Sequence, residues 1–237
     1  MFVLGIEAAT PVAGVAVVEK GRIMAERLVN NRRTHSVNLL PMIKAVIEES
    51  GITPAQINGI AVSSGPGSFT GLRIGMTTAK TLALVWQVPI IGVSTLEALA
   101  LPLAARGQVV CPILNARKNE VYAAIYKGTA DRPQLLLGPL AVSIKELAHG
   151  LEAWAGAVTF LGDGVPEFKE QLLQLLGERA LFAPQSALLP RGGAVAELGY
   201  LELARHGGMT PLALTPEYIR PSEAEVKLSA QCNKVGE

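Results

Sequence analysis

Three short apolar runs open the chain: Phe2 to Ile6, Val12 to Val18 and a loosely alternating Arg22 to Asn30, separated by turns at Ala8 to Pro11 and Lys20-Gly21. Runs of this length, rich in β-branched residues and bounded by turn formers, predict three antiparallel strands in two consecutive hairpins. A helix follows, capped by Thr34 or Ser36, reaching Ser50 and stopping at Gly51. Its apolar positions Val37, Leu40, Met42, Ile43, Val46 and Ile47 spread wider than one stripe, so it is expected to be contacted from two sides. Pro41, several residues in, either kinks this helix or marks its true start.

Ile57 to Val62 reads as a buried strand, followed by Ser63 to Trp86, where a turn with three glycines and a proline leads into an uninterrupted helical pattern. Phe69, Leu72, Met76, Ala79, Ala83 and Trp86 form one apolar face of that helix, and Gly71, Gly75, Thr78 and Leu82 form a second. Glycine inside a helix costs about 1 kcal/mol relative to alanine, so two of them one turn apart need a reason. Close approach of another helix backbone is favoured here, with a tight contact inside the chain as the alternative. A strand Pro89 to Val93 and a helix Ser94 to Ala105 complete the first unit.

Past Arg106-Gly107-Gln108 the pattern restarts, with strands Val109 to Asn115, Glu120 to Tyr126 and Gln134 to Gly138, a helix Ser143 to Leu151 and a strand Val158 to Gly162. Helices Pro166 to Leu176 and Gly193 to His206 follow. The second half echoes the first in topology without a residue-level repeat. Three strands, helix, strand, helix, strand, helix is the half-unit of the actin, sugar-kinase and Hsp70 (ASKHA) superfamily. The expectation is therefore a two-lobed α/β fold, each lobe a mixed sheet flanked by helices. The lobes are placed at residues 1–105 and 106–221, with a loose polar tail over 222–237.

Composition narrows the function classes. With 21 basic and 20 acidic residues among 237, the formal net charge is +1, which gives no global field for nucleic acid. Charged residues make up only 17% and mean hydropathy is +0.34. An apolar surface covered by a partner would account for that balance. The N-terminus lacks a basic region ahead of its apolar run, and no apolar stretch reads as a spanning helix, so a cytoplasmic, membrane-free protein is expected. Cys111 and Cys232 form neither a disulfide framework nor a metal-ligand spacing.

Candidate chemistry is sparse. His35, His149 and His206 lie far apart without ligand neighbours at helical spacing, so neither a metal nor a catalytic site is expected. The turn at Gly65 and Gly67 has the strand, glycines and helix N-terminus of an anion site, but Gly71-Leu72-Arg73 stands where a phosphate loop needs Gly-Lys-Ser/Thr. Thr70 stands where a dinucleotide fingerprint needs its third glycine. The first hairpin, which in this superfamily wraps a phosphate, reads Glu7-Ala8-Ala9-Thr10-Pro11: the alanines offer no side-chain donors and Pro11 removes an amide. Glu7, Gly65, Gly67 and Asp163, the last in Gly162-Asp163-Gly164 after a strand, remain the nucleotide-proximal candidates; a plain turn is the alternative for Asp163.

Gly65-Pro66-Gly67-Ser68-Phe69-Thr70-Gly71-Leu72-Arg73-Ile74-Gly75 and Ile91 to Leu99 (IGVSTLEAL) closely resemble the TsaB (YeaZ) family of bacterial tRNA threonylcarbamoyladenosine biosynthesis. His35 to Pro41, Asn115 to Tyr122 (NARKNEVY) and Pro216 to Arg220 (PEYIR) resemble further segments of that family, with Glu7 and Asn115 standing where it usually has Asp. The resemblance implies a non-catalytic subunit that pairs with the catalytic subunit TsaD and the ATPase TsaE. The complex modifies the adenosine beside the anticodon of tRNAs reading codons that begin with A. It further implies that ATP and metal belong to the partner subunits, that tRNA is met through the complex, and that the chain forms a homodimer when the partner is absent. The positions matching the catalytic paralogue's metal-binding His-x-x-x-His pair are Thr95 and Leu99, and Leu99 cannot ligate. The expected partner surface lies on the helices near 35–50 and 68–86, at His35, Leu39, Met42, Ile43, Gly71, Gly75, Thr78 and Leu82. Two other classes stay open: a metal-dependent glycoprotease-type peptidase, which lacks ligands, and an autonomous nucleotide-binding ATPase using the Gly65 to Gly71 turn.

Overall fold

The computed structural model describes residues 1–31 and 34–220. The expected tail at 222–237 lies outside the described residues. Strands β1 (Phe2–Glu7), β2 (Ala13–Glu19) and β3 (Arg22–Val29) form the two opening hairpins, followed by helix α1 (His35–Glu49), β4 (Ile57–Gly65), α2 (Phe69–Trp86), β5 (Ile90–Ser94) and α3 (Thr95–Ala100). The sheet order is β3-β2-β1-β4-β5, with β1 antiparallel to β2 and parallel to β4. Its neighbour is built from β6 (Val109–Asn115), β7 (Glu120–Gly128), β8 (Pro133–Ser143), β9 (Val158–Leu161) and β10 (Ala180–Phe182), with helices α4 (Ile144–Gly150) and α5 (Val165–Leu176). The order β10-β9-β6-β7-β8 repeats that of the first sheet strand for strand. The two mixed sheets flanked by helices are the expected architecture.

Burial follows the apolar pattern. Leu4, Ile6, Val15, Val17, Ile60 and Val62 meet Leu39, Met42, Ile43, Val46 and Met76 of α1 and α2 on one face of the first sheet. Those α1 positions recur at steps of three and four, so the stripe that forms the helix is also the one the sheet covers. Thr34 precedes the helix without a side-chain cap bond, and Pro41 lies inside it rather than at its start. On the other face, Val3, Ala61 and Val93 are covered by Val195 and Leu198 of helix α6 (Gly192–His206). Chain order and packing part company here: α6 falls within 106–221, yet it packs on β1, β2 and β4. Arg191 and the Gly193 amide both bind the Glu26 carboxylate on β3, which fastens the start of α6 to the first sheet.

Helix α3 stops at Ala100, earlier than the pattern suggested, because Pro102 turns the chain into a short 3-10 segment, Leu101–Leu103. Leu96 and Leu99 of α3 join the second core with Ile113, Phe160 and Leu172, so this helix is shared between the lobes. A second tie is ionic: Arg132, in the β7–β8 turn, donates to Glu97 of α3 at 2.8 Å and to Glu202 of α6.

Candidate functional site

The first hairpin loop is closed on itself. Glu7 is fully buried at the end of β1, and its Oε1 accepts from the Ala9 amide at 2.6 Å, with the Thr10 amide and the Ser63 side chain as further partners. Ser63 Oγ accepts from the Ala8 amide at 3.2 Å, Thr10 Oγ1 accepts from the Val12 amide at 3.3 Å, and Pro11 has no amide to give. The amides that would cradle a phosphate are thus occupied by the chain's own carboxylate and hydroxyls. Burial pushes the Glu7 carboxyl up to about 7 against the opposing pull of the Ala9, Ser63 and Thr10 bonds, and its Oε2 has no hydrogen-bond partner.

Two helix N-termini rest on this loop. The Ser68 amide donates to the Ala9 carbonyl at 2.6 Å, and His35 Nε2 lies 2.8 Å from the Thr10 carbonyl oxygen. A carbonyl only accepts, so Nε2 carries the proton there. A Cβ at Gly71 would collide with the Ala8 carbonyl oxygen, and one at Gly75 would sit 2.8 Å from Ala8 Cβ. The small face of α2 therefore approaches the β1–β2 loop of its own lobe. That overturns the expectation of a partner helix at Gly71 and Gly75. The glycines are needed because an intramolecular loop passes close to the helix.

The glycine turn is covered as well. Gly65 has φ +130°, and a Cβ on it would strike the Glu217 carbonyl; the Glu217 amide donates to the Ser64 carbonyl at 2.8 Å. Residues 214–220 form a strap across α2: Lys80 Nζ donates to the Leu214 carbonyl at 2.8 Å, and Arg73 Nε to the Tyr218 hydroxyl at 3.1 Å. Tyr218 stacks on Phe69 at 4.5 Å, Arg73 lies over the Phe69 ring at 3.9 Å, and Arg220 pairs with Glu120 on β7. Sequence reading singled out Pro216 to Arg220 as a signature without locating it. The Gly65 to Gly71 turn is thus packed from both sides.

Asp163 stays within the second lobe, where its Oδ1 accepts from the Asn115 amide at 2.9 Å while the Asn115 side chain donates to Glu167. Burial raises its carboxyl above the usual range. Of the nucleotide-proximal candidates, Gly67 lies against the Ala9 carbonyl of the loop that Glu7 closes, whereas the bonds of Asp163 run to Asn115. Thr95 and Leu99 are both buried, and no group of three His, Cys, Asp or Glu side chains among the described residues is placed to hold a metal ion.

The partner-surface candidates divide. Leu39, Met42 and Ile43 are core residues, Gly71 and Gly75 are buried, and His35, Thr78 and Leu82 are half-buried, with Thr78 Oγ1 donating to the Ile74 carbonyl. Burial against the sheet removes Leu39, Met42 and Ile43 from any outer surface, and burial against the β1–β2 loop removes Gly71 and Gly75. The apolar side chains these helices leave in solvent are instead Val37 (56% exposed) and Leu40 (57%) on α1 and Leu84 (53%) and Val85 (71%) on α2. From Ile74 to Val85 the only charged side chain on α2 is Lys80, already bound to Leu214. Val37 and Leu40 were legible as the positions that made α1 too wide for one stripe. No helix among the described residues is long and apolar enough to cross a membrane.

Comparison with known proteins gives concordant matches. The family model described as "TsaD: tRNA N6-adenosine threonylcarbamoyltransferase" matches residues 22–227. The tRNA threonylcarbamoyladenosine biosynthesis protein TsaB of Bacillus subtilis (strain 168) is 30% identical over 229 residues, covering 96% of this chain and 97% of that one. A crystal structure from Pseudomonas aeruginosa, described as an uncharacterized protein with similarity to peptidase YeaZ, superposes with a TM-score of 0.80 at 28% identity, covering 92% of this chain and 99% of that one. The ethanolamine utilization protein EutJ of Carboxydothermus hydrogenoformans, at 12% identity and a TM-score of 0.50 over 84% of this chain and 90% of that one, shares the fold alone.

Proposed function

The chain belongs to the TsaB (YeaZ) family, and from that premise we propose that it serves tRNA threonylcarbamoyladenosine biosynthesis as a non-catalytic subunit that docks on the catalytic subunit TsaD. The observation that carries this reading is the apolar surface that α1 and α2 leave in solvent, Val37 and Leu40 on the first and Leu84 and Val85 on the second. Exposed apolar side chains grouped on helices mark interaction surfaces. The closed hairpin at Glu7 supports the non-catalytic part, since the loop amides are already taken. In this reading TsaE joins the assembly, ATP and metal are held by the partner subunits, tRNA is met through the complex in the cytoplasm, and the same helix face forms a homodimer in the partner's absence.

The test is co-purification of TsaD with the wild-type chain and with a Leu84→Asp/Val85→Asp variant. Capture by the wild type and loss with the variant, at unchanged thermal stability, is expected. Equal capture by both would move the docking surface elsewhere.

A further inference from the structure

Glu7 stands where the first sheet gives way to a loop without ladder bonds of its own. Its pairing with Gly14 is the last between β1 and β2. From Ala8 to Val12 the chain is held by side-chain acceptors: Glu7 Oε1 for the Ala9 amide, Ser63 Oγ for Ala8 and Thr10 Oγ1 for Val12. One carboxyl group thus closes the loop, with the Thr10 amide as a further partner. That residue is 0% exposed and its Oε2 has no partner, whereas Pro11 at the loop's tip is exposed. A half-satisfied carboxyl in a site without water is favoured there only while neutral; once ionised it gains by reaching solvent.

The groups around it are neutral or engaged elsewhere. β2 presents Gly14, β4 presents Ser63, and α2 sets Gly71 and Gly75 on Ala8. From α6, Gly192 packs on Gly14, and the adjacent Arg191 is bound to Glu26. Arg73 of α2 lies over Phe69 and bonds Tyr218, and Lys80 bonds Leu214. His35 of α1 is the titratable group that meets the loop, and its Nε2 is occupied by the Thr10 carbonyl. Both helices nonetheless depend on the loop staying shut, α1 through His35 and α2 through the Ser68 amide on the Ala9 carbonyl.

We propose that the β1–β2 loop is a proton-controlled latch: it stays shut on protonated Glu7 and opens locally, with the sheet intact, when Glu7 ionises into water. Opening releases the Ala9 and Thr10 amides and takes the Ser68 and His35 contacts with it, so the starts of α1 and α2 loosen together. The latch belongs to the isolated chain and does not rest on TsaD docking.

The test is amide hydrogen exchange of the ¹⁵N-labelled full chain from pH 5.5 to 8, each rate corrected for the pH dependence of exchange in an unstructured peptide. The carboxyl returns from about 7 to 4.5 on opening, so the shut state is favoured at low pH and loses ground as pH rises. Protection at Ala9, Thr10 and Ser68 should fall about 20-fold over that range. Ile60, whose amide donates to the Pro89 carbonyl in the same lobe, should stay better protected throughout. Glu7→Gln should abolish the pH dependence of the loop, and His35→Gln should keep it. If Glu7→Gln does not fold, the wild-type loop is judged against Ile60 and against His35→Gln. Loop protection that is flat with pH, that falls together with Ile60 to the same level, or that loses its pH dependence in His35→Gln would overturn the proposal.

Discussion

Replacing Glu7 with Gln probes the closed hairpin most directly. The carboxyl moves from 4.5 in the unfolded chain to about 7 in the folded one, chiefly because burial disfavours its charged form. At roughly 1.4 kcal/mol for each pH unit of separation, the linkage amounts to about 3 kcal/mol. Because the folded value is raised, this contribution is fully present below pH 4.5 and is lost as pH rises through about 7. Glutamine keeps an acceptor for the Ala9 amide and does not titrate. Urea unfolding of both proteins between pH 4.5 and 8 should therefore show the variant gaining on the wild type by about 3 kcal/mol as pH rises. A constant difference across that range would refute the burial argument. A difference that grows in the opposite direction would show that the loop bonds outweigh burial.

Other substitutions separate packing from docking. Gly75→Leu should destabilise the fold by more than about 3 kcal/mol in chemical denaturation, because even its Cβ would sit 2.8 Å from that of Ala8. Leu39→Ala should cost about 2–5 kcal/mol by the same assay, since the side chain is 1% exposed beneath α1. Arg132→Ala leaves Glu97 and Glu202 facing each other without a cation. A loss of about 1–3 kcal/mol is expected, allowing for their partial exposure, along with faster amide exchange in α3.

Much of the fold was legible in the sequence because the strand and helix periods are clean in both halves, and the matching order of three strands, helix and strand foretold the repeated sheet. Strand β10 escaped notice because Ala180–Phe182 is only three residues long and gives no alternation to read. The placement of α6 was hidden for another reason: a helical stripe shows that a helix is covered, not which sheet covers it. The site was read less well. Gly71 and Gly75 announced a close approach, but the loop at Ala8 that makes it lies some 60 residues earlier in the chain. Met42 and Ile43 were assigned to the surface from a stripe that the sheet occupies, while Val37 and Leu40, on the margin of that stripe, were left outside. The alanines and Pro11 were read as a degraded phosphate clasp; that the Glu7 carboxylate bonds the loop amides needed the geometry.

The most direct test of the central claim is a reconstituted threonylcarbamoylation assay on tRNA with TsaD, TsaE and the threonylcarbamoyl donor, run with this chain, without it, and with the Leu84→Asp/Val85→Asp variant. Modification that requires the wild-type chain, fails with the folded variant and does not occur with this chain alone is the predicted result. Modification that is independent of this chain, or that it performs in the absence of TsaD, would contradict the account.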